Sequence, residues 1–283
     1  MKTKLIGIII CMLLIATTLV SAVNVNQKNI TPTLFDADVP IWEVGDSWTY
    51  DINKTIRSDL NETMKYVLTG DIILSVKDDT GDYYILEGVG ESISILGNIG
   101  KLNLRSSRII TVNIEMVVKK ADLAISSYNF MFKGIVFIVL GPIILPFPIQ
   151  LHEWRDSTFT PDQPVLPFPL FDGKNGTLIS ALIDEEWGLT MFWDLISIDT
   201  GDVSWHSTFN DYTCTATEVT IPSGTYDVYK VSDYAQGGGN HIDLYYNATV
   251  GNVVEIYFKM YNGDWHDWWL IQKLRLKSTT YTP

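Results

Sequence analysis

Residues able to do chemistry are few in this chain, and their spacing works against most reactions. Gly45-Asp46-Ser47 sets a serine behind an acid, the form of a nucleophile for ester hydrolysis. That nucleophile needs a histidine base, supplied in this motif by an Asp-x-x-His near the chain end. The four histidines, at 152, 206, 241 and 266, have Ile149, Val203, Gly238 and Gly263 three positions before them, so the partner acid is absent. A turn leading into a strand accounts for Gly45-Asp46-Ser47. No G-x-S-x-G elbow, P-loop, Rossmann glycine pattern or H-E-x-x-H occurs. Zinc needs three or four convergent ligands. His241-Ile242-Asp243 offers two on one strand face, and Asp264-Trp265-His266-Asp267 packs three in a turn, but no histidine pair has ligand spacing. These read as solvated loop residues. The acidic turn Asp78-Asp79-Thr80-Gly81-Asp82 fits no established calcium loop. Cys214, inside Tyr212-Thr213-Cys214-Thr215-Ala216-Thr217, reads as a buried strand cysteine. Trp265, Trp268 and Trp269 are able to stack a sugar, and equally to close the end of a β core. The expectation is a chain that is not an enzyme, with no metal and no cofactor.

The elements that would position any site are strands. Trp48, Tyr50 and Ile52 alternate after the Gly45-Asp46 turn. Met64 to Val76 and Tyr83 to Val89 follow, joined by the hairpin-forming residues 77–82. From Ile109 to Lys119 the period is two: Ile110, Val112, Ile114, Met116 and Val118 share a face against Thr111, Asn113, Glu115 and Lys119. That is a strand buried on one side, and Ala121 to Phe132 returns against it. After Phe171 the spacing of Leu178, Ile179, Leu182 and Ile183 predicts a short helix over Thr177 to Glu186. Strands then resume at Thr190–Ile198, Val203–Phe209, Tyr212–Ile221, Thr225–Ser232, Asp243–Asn247, Val253–Tyr261 and Trp268–Thr279. The fold class expected is mainly β: antiparallel curved sheets, half-barrel-like, in two related modules with one or two short helices.

The middle differs in character. Ile135 to Ile149 holds fifteen apolar, glycine or proline residues, broken by Pro142, Pro146 and Pro148. Such prolines forbid an ordinary helix and argue against a central strand over the second half. Leu145-Pro146-Phe147-Pro148-Ile149 is echoed by Leu166-Pro167-Phe168-Pro169-Leu170. Two readings stand: a pair of extended segments in the seam between two halves, or an apolar lip of Ile143, Ile144, Leu145, Phe147 and Phe168 that touches lipid or another protein. The resulting division is a signal peptide over 1–22, a flexible spacer over 23–39, a first β module over 40–133, a Pro-rich connector over 134–170 and a second β module over 171–283. A degenerate duplication with a period near 130 residues is suggested by Asp172-Gly173-Lys174-Asn175-Gly176-Thr177, which stands where Val44 to Thr49 stood.

The N-terminus has the three parts of a secretory signal: Lys2 and Lys4, the uncharged run Leu5 to Val20, and the small residues of Val20-Ser21-Ala22. Sixteen residues fall short of the roughly 20 of a transmembrane helix, so cleavage near Ala22 and a secreted or cell-surface location are expected; an uncleaved anchor is the alternative. Losing Lys2 and Lys4 takes the net charge from −13 to −15. That balance repels phosphate backbones and disfavours nucleic acid. Of Cys11 and Cys214 only the second survives cleavage, which leaves no intrachain disulfide. Packing must then supply stability, drawing on 9 Trp, 14 Tyr and 11 Phe. Asn29, Asn53, Asn61, Asn175 and Asn247 fit the N-x-S/T glycosylation pattern and are expected to face solvent.

Three stretches carry a family resemblance. Trp42-Glu43-Val44-Gly45-Asp46-Ser47-Trp48-Thr49-Tyr50 resembles the opening strand of a group of uncharacterised secreted proteins, mostly archaeal. Val219 to Val231 resembles their V-P-A-G-T-F-x-x-Y-K-V hairpin, and Tyr245 to Val254 is similar to the strand pair that follows it. The combination also looks like the curved sheet of the bacterial lipoprotein-carrier (LolA-like) superfamily. The likeness covers about a third of the chain beyond residue 22, and its motifs are turns and strand starts. It implies an antiparallel half-barrel over a hydrophobic cavity and the binding of lipid-like ligands. It carries over no catalytic residue, and the Pro-rich insertion departs from it in a way that would fill such a cavity. The function expected is an exported, non-catalytic module for a lipid-like or other apolar ligand, meeting envelope proteins or a membrane surface. The alternative is a structural or adhesive envelope protein with no small ligand.

Overall fold

The computed structural model describes residues 36–58, 64–99, 102–140, 143–179, 181–191, 194–206, 210–235, 241–262 and 267–283. Their strands are β1 (Ser47–Ser58), β2 (Met64–Asp79), β3 (Tyr83–Ile99), β4 (Leu102–Lys119), β5 (Ile125–Leu140), β6 (Ile143–Gln163), β7 (Asn175–Thr177), β8 (Leu182–Met191), β9 (Ile196–His206), β10 (Asn210–Ile221), β11 (Gly224–Ala235), β12 (His241–Asn247), β13 (Asn252–Asn262) and β14 (Asp267–Thr279). They hydrogen-bond into one antiparallel sheet in the order β7-β10-β11-β12-β13-β14-β1-β2-β3-β4-β5-β6-β8-β9. The chain meanders from β1 out to β6, crosses to the far edge for β7, returns for β8 and β9, then crosses again and meanders back from β10 until β14 pairs with β1. Among the described residues there is no helix.

Alternation dictates the strands. On β4, Ile110, Val112, Ile114 and Val118 are buried while Thr111, Asn113 and Glu115 are exposed. The β2–β3 hairpin turns where Gly81 adopts φ +91° and the Asp79 carboxylate accepts the Gly81 N–H at 2.9 Å, an Asx-type turn.

The sheet must curl. The Gly173 N–H donates to the Cys214 carbonyl of β10 at 2.9 Å, ten residues after β6 ends. In the strand order β10 stands ten places from β6, which is about 48 Å in a flat sheet. Ten residues span at most about 36 Å. Bending closes the gap and lets one face of the sheet bury itself without helices. The segment between β6 and β7 lies in the fold so formed: Leu166 and Leu170 are buried against Tyr212, Cys214, Tyr229, Val231, Leu244 and Tyr246. Val165 packs on this cluster and on the larger one around Ile110, Phe130, Phe132 and Phe258. Ala37 pairs with Leu170 through two 2.8 Å backbone bonds, so the expected spacer is ordered at its end, while residues 23–35 lie outside the described residues.

Four expectations need correction. The prolines do not exclude a strand: Pro146, Pro148 and Pro161 all lie in β6. Among the described residues 143–150 pair with β5 only, β8 joining at Leu151, so Pro146 and Pro148 occupy a stretch where no second described ladder needs their N–H. The helix over Thr177 to Glu186 is absent; Ile183 and Glu185 face inward from β8 at a period of two, and cross-strand pairing outweighs the i,i+4 spacing. The strand expected over Thr190–Ile198 is broken by a turn in which Asp194 has φ +64° and Leu195 is 82 % exposed. Of the connector expected over 134–170, residues 134–140 form the end of β5 and 143–163 all of β6.

Candidate functional site

The stretches that carry the resemblance meet in space. The Trp42 and Trp48 indoles donate to the carbonyls of Gly251 and Val250, each at 2.9 Å, and the Tyr50 hydroxyl donates to Val253 at 2.9 Å. Ile221 and Val228 of the β10–β11 hairpin join Trp42, Trp48, Val250 and Val254 in one buried cluster. Burial without a charged neighbour pushes the Tyr50 hydroxyl far above its ordinary range. Gly251, at φ +64°, could not carry a Cβ, which would sit 2.5 Å from the Tyr281 ring. These residues build a latch between β1 and the β12–β13 turn; their part is architectural.

The groups considered for catalysis and metal binding fall apart in the structure. Ser47 Oγ lies 3.1 Å from Thr280 Oγ1, and the Asp46 carboxylate accepts the Glu43 N–H, so Gly45-Asp46-Ser47 is the turn into β1. His152 Nδ1 lies 2.9 Å from Asp194 and His241 Nε2 lies 3.0 Å from Asp243, in two separate places. His266 and Trp265 lie outside the described residues, as do the side chains of His206, Trp268 and Trp269. Among the described residues no three His, Cys, Asp or Glu side chains gather to hold a metal. Cys214 is buried on β10, and burial pushes its thiol up to about 11. Asp243 is buried too. Burial pushes its carboxyl up, but hydrogen bonds from His241 and Ser232 and the Lys230 ammonium outweigh this and hold it below the usual carboxylate range.

A buried charged triad went unnoticed in the sequence. Arg155 of β6, 1 % exposed, donates through Nε to Glu153 at 3.2 Å and through Nη1 to Glu185 of β8 at 2.7 Å. Register sets Arg155 between Phe130 and Trp187, and its guanidinium lies over the Trp187 ring at 5.9 Å. The signal was available: alternation puts Glu153 and Arg155 on the face of Phe159, where a charge must bring its own counter-charge.

The proposed lip divides. Ile143, Ile144, Leu145 and Phe147 stand together at the start of β6, opposite the end of β5; their side chains lie outside the described residues. Phe168 lies beyond the other end of β6, edge-on to Tyr246 with ring centroids 5.2 Å apart. It fills the interior and is no part of a lip with the other four. The opposite face of β3–β6 carries a groove of about 560 Å³ lined by Glu87, Asn113, Glu115, Asn129, Asp156 and Thr158 among others. Lys77 spans Glu87 and Glu115 at 3.3 and 3.1 Å beside it. Ile114, Val117, Tyr128 and Met131 also line the groove, so polar and apolar side chains are mixed there.

Of the glycosylation candidates, Asn29 and Asn61 lie outside the described residues, and Asn53 and Asn175 are exposed. Asn247 does not face solvent as expected. It is buried, donating to the Asp227 carbonyl of β11 and accepting the Val250 N–H of the β12–β13 turn, both at 2.7 Å. No helix among the described residues is long and apolar enough to cross a membrane. Neither a protein-family model, nor a curated protein, nor a solved structure matches the chain.

Proposed function

We propose that this is an exported, non-catalytic binding protein that meets its lipid-like or apolar partner at the β5–β6 end of the sheet. One observation carries the reading. From Ile135 to Ile149 the two strands and their connection hold no charged residue, and among the described residues 143–150 of β6 pair with β5 alone. An uncharged apolar stretch at the margin of a sheet is costly in water unless something apolar covers it. The interior offers less: Leu166, Phe168 and Leu170 occupy the fold that a half-barrel would leave for a guest.

Partition into the micelle-rich phase of a cloud-point non-ionic detergent tests this. The protein should enter that phase, and Ile144→Asp with Phe147→Asp should return it to the aqueous phase with its melting transition intact. Equal partition of variant and parent would defeat the proposal. The filled interior favours a second reading, a structural envelope protein with no small ligand. It would show as oligomers that survive the same two substitutions.

A further inference from the structure

The next step rests on the reading above and names the partner. We infer that it is an anionic bilayer surface, entered by the β5–β6 tip and held by cations on the neighbouring strand ends. Six strand ends lie side by side here: residues 54–58 of β1, 64–69 of β2, 93–99 of β3, 102–110 of β4, 134–140 of β5 and 143–151 of β6. They contain Lys54, Arg57, Lys65, Arg105 and Arg108 and not one acid, in a chain with 33 Asp and Glu and a net charge of −13. These six strand ends by themselves carry a charge of +5.

Register carries the cations to the uncharged ribbon. One cross-strand row runs Arg57, Lys65, Asn98, Asn103, Val139, Ile144; the next runs Thr55, Val67, Leu96, Arg105, Phe137, Pro148. Arg57 directly opposite Lys65 is a pairing that weakens a sheet, and an anion beside both removes the penalty. Leu96, a cross-strand neighbour of Arg105, is 63 % exposed.

The dimensions fit one leaflet. Gly134 to Leu140 extends about 23 Å at strand rise, against about 15 Å for half the hydrocarbon core. The tip therefore reaches the acyl region while Lys133 and His152 stay among the headgroups. Open strand edges are penalised in lipid because unpaired N–H groups find no water. Pro146 and Pro148 carry no N–H, so the one-sided stretch of β6 presents fewer such donors. The acidic remainder of the chain is repelled by an anionic surface, which leaves this end as the one that approaches.

Vesicle flotation tests the inference, using phosphatidylcholine with and without phosphatidylglycerol. Anionic vesicles should capture the protein, neutral ones far less, and high salt should release it. Each surface cation is worth about fivefold in partitioning (about 1 kcal/mol), so Arg57→Gln with Lys65→Gln should lower capture about thirtyfold. Ile144→Asp should abolish capture while keeping the N-terminal apolar run, and circular dichroism should show both variants folded. Equal capture by the two vesicle types, or capture unmoved by the charge variant, overturns the inference. If non-ionic micelles still take up the protein through Ile144 and Phe147, the apolar reading survives that failure. If vesicles are ignored and the protein self-associates through the same end, the partner is a second copy and the inference falls.

Discussion

Replacing Arg155 by methionine keeps the length of the side chain and removes its charge. In the folded protein the guanidinium is 1 % exposed, and its partners Glu153 and Glu185 have side chains 2 % and 8 % exposed. The variant leaves two carboxylates in the core without the guanidinium that joins them. Breaking a buried pair from one side costs about 3–5 kcal/mol, because the surviving charge keeps its desolvation penalty. At this chain length a loss of 1 kcal/mol lowers the melting temperature by about 2–4 °C, so a fall of about 6–20 °C is expected. The control separates burial from attraction. Glu153→Leu, Arg155→Met and Glu185→Leu together remove every charge, and such replacements are often neutral or stabilising. Chemical denaturation of the parent, the single variant and the triple variant reads both effects. A single variant within 1 kcal/mol of the parent would mean that water reaches the triad, and that the inward face of β6 and β8 is open.

The remaining perturbations probe other parts of the fold. Gly134→Ala should cost about 1–3 kcal/mol by overpacking, since its Cβ would lie 2.5 Å from Ile110 Cγ1 across the β4–β5 register; an unchanged melting temperature would place these strands in another register. Cys214, with its thiol pushed up to about 11, should resist alkylation at pH 8 until the protein is denatured, and fast labelling of the native protein would contradict its burial. For Asp243 the folded carboxyl lies below its unfolded value of about 3.9, so its stabilisation is present above that pH and fades as pH falls through the lower folded value. Asp243→Asn should therefore differ from the parent most at neutral pH, with the gap closing below about pH 4; a gap that widens in acid would reverse the assignment.

Much of the sheet was legible because its strands alternate. Ile110 to Val118 and Trp48 to Ile52 follow the period-two rule, and both lie in strands with their apolar residues buried or partly so. Strand ends were legible only where turn residues mark them, as at Gly81 and Gly251. The prolines of β6 misled, because the rule against proline in central strands applies to a strand paired on both sides, and one-sided pairing is a property of the whole sheet. Leu178 to Ile183 misled for a similar reason: four residues satisfy a helix and a strand pattern equally, and the partner strand decides. Of the five residues assigned to a lip, their closeness along the chain was all that could be read. Its β6 residues stand together, while Phe168 went to the interior because the β6–β7 crossing had to pass under a curled sheet, which no local pattern announces.

The most direct test of the account follows an environment-sensitive fluorophore attached at Ile144→Cys, with the buried Cys214 left in place. A second label at Asn113→Cys, on an exposed position of β4, serves as the comparison. On adding anionic vesicles the Ile144→Cys label should shift to the blue and lose access to an aqueous quencher, while the Asn113→Cys label keeps its spectrum. An unchanged label at 144, or equal shifts at both positions, would contradict the claim that the β5–β6 end is where this protein meets an apolar phase.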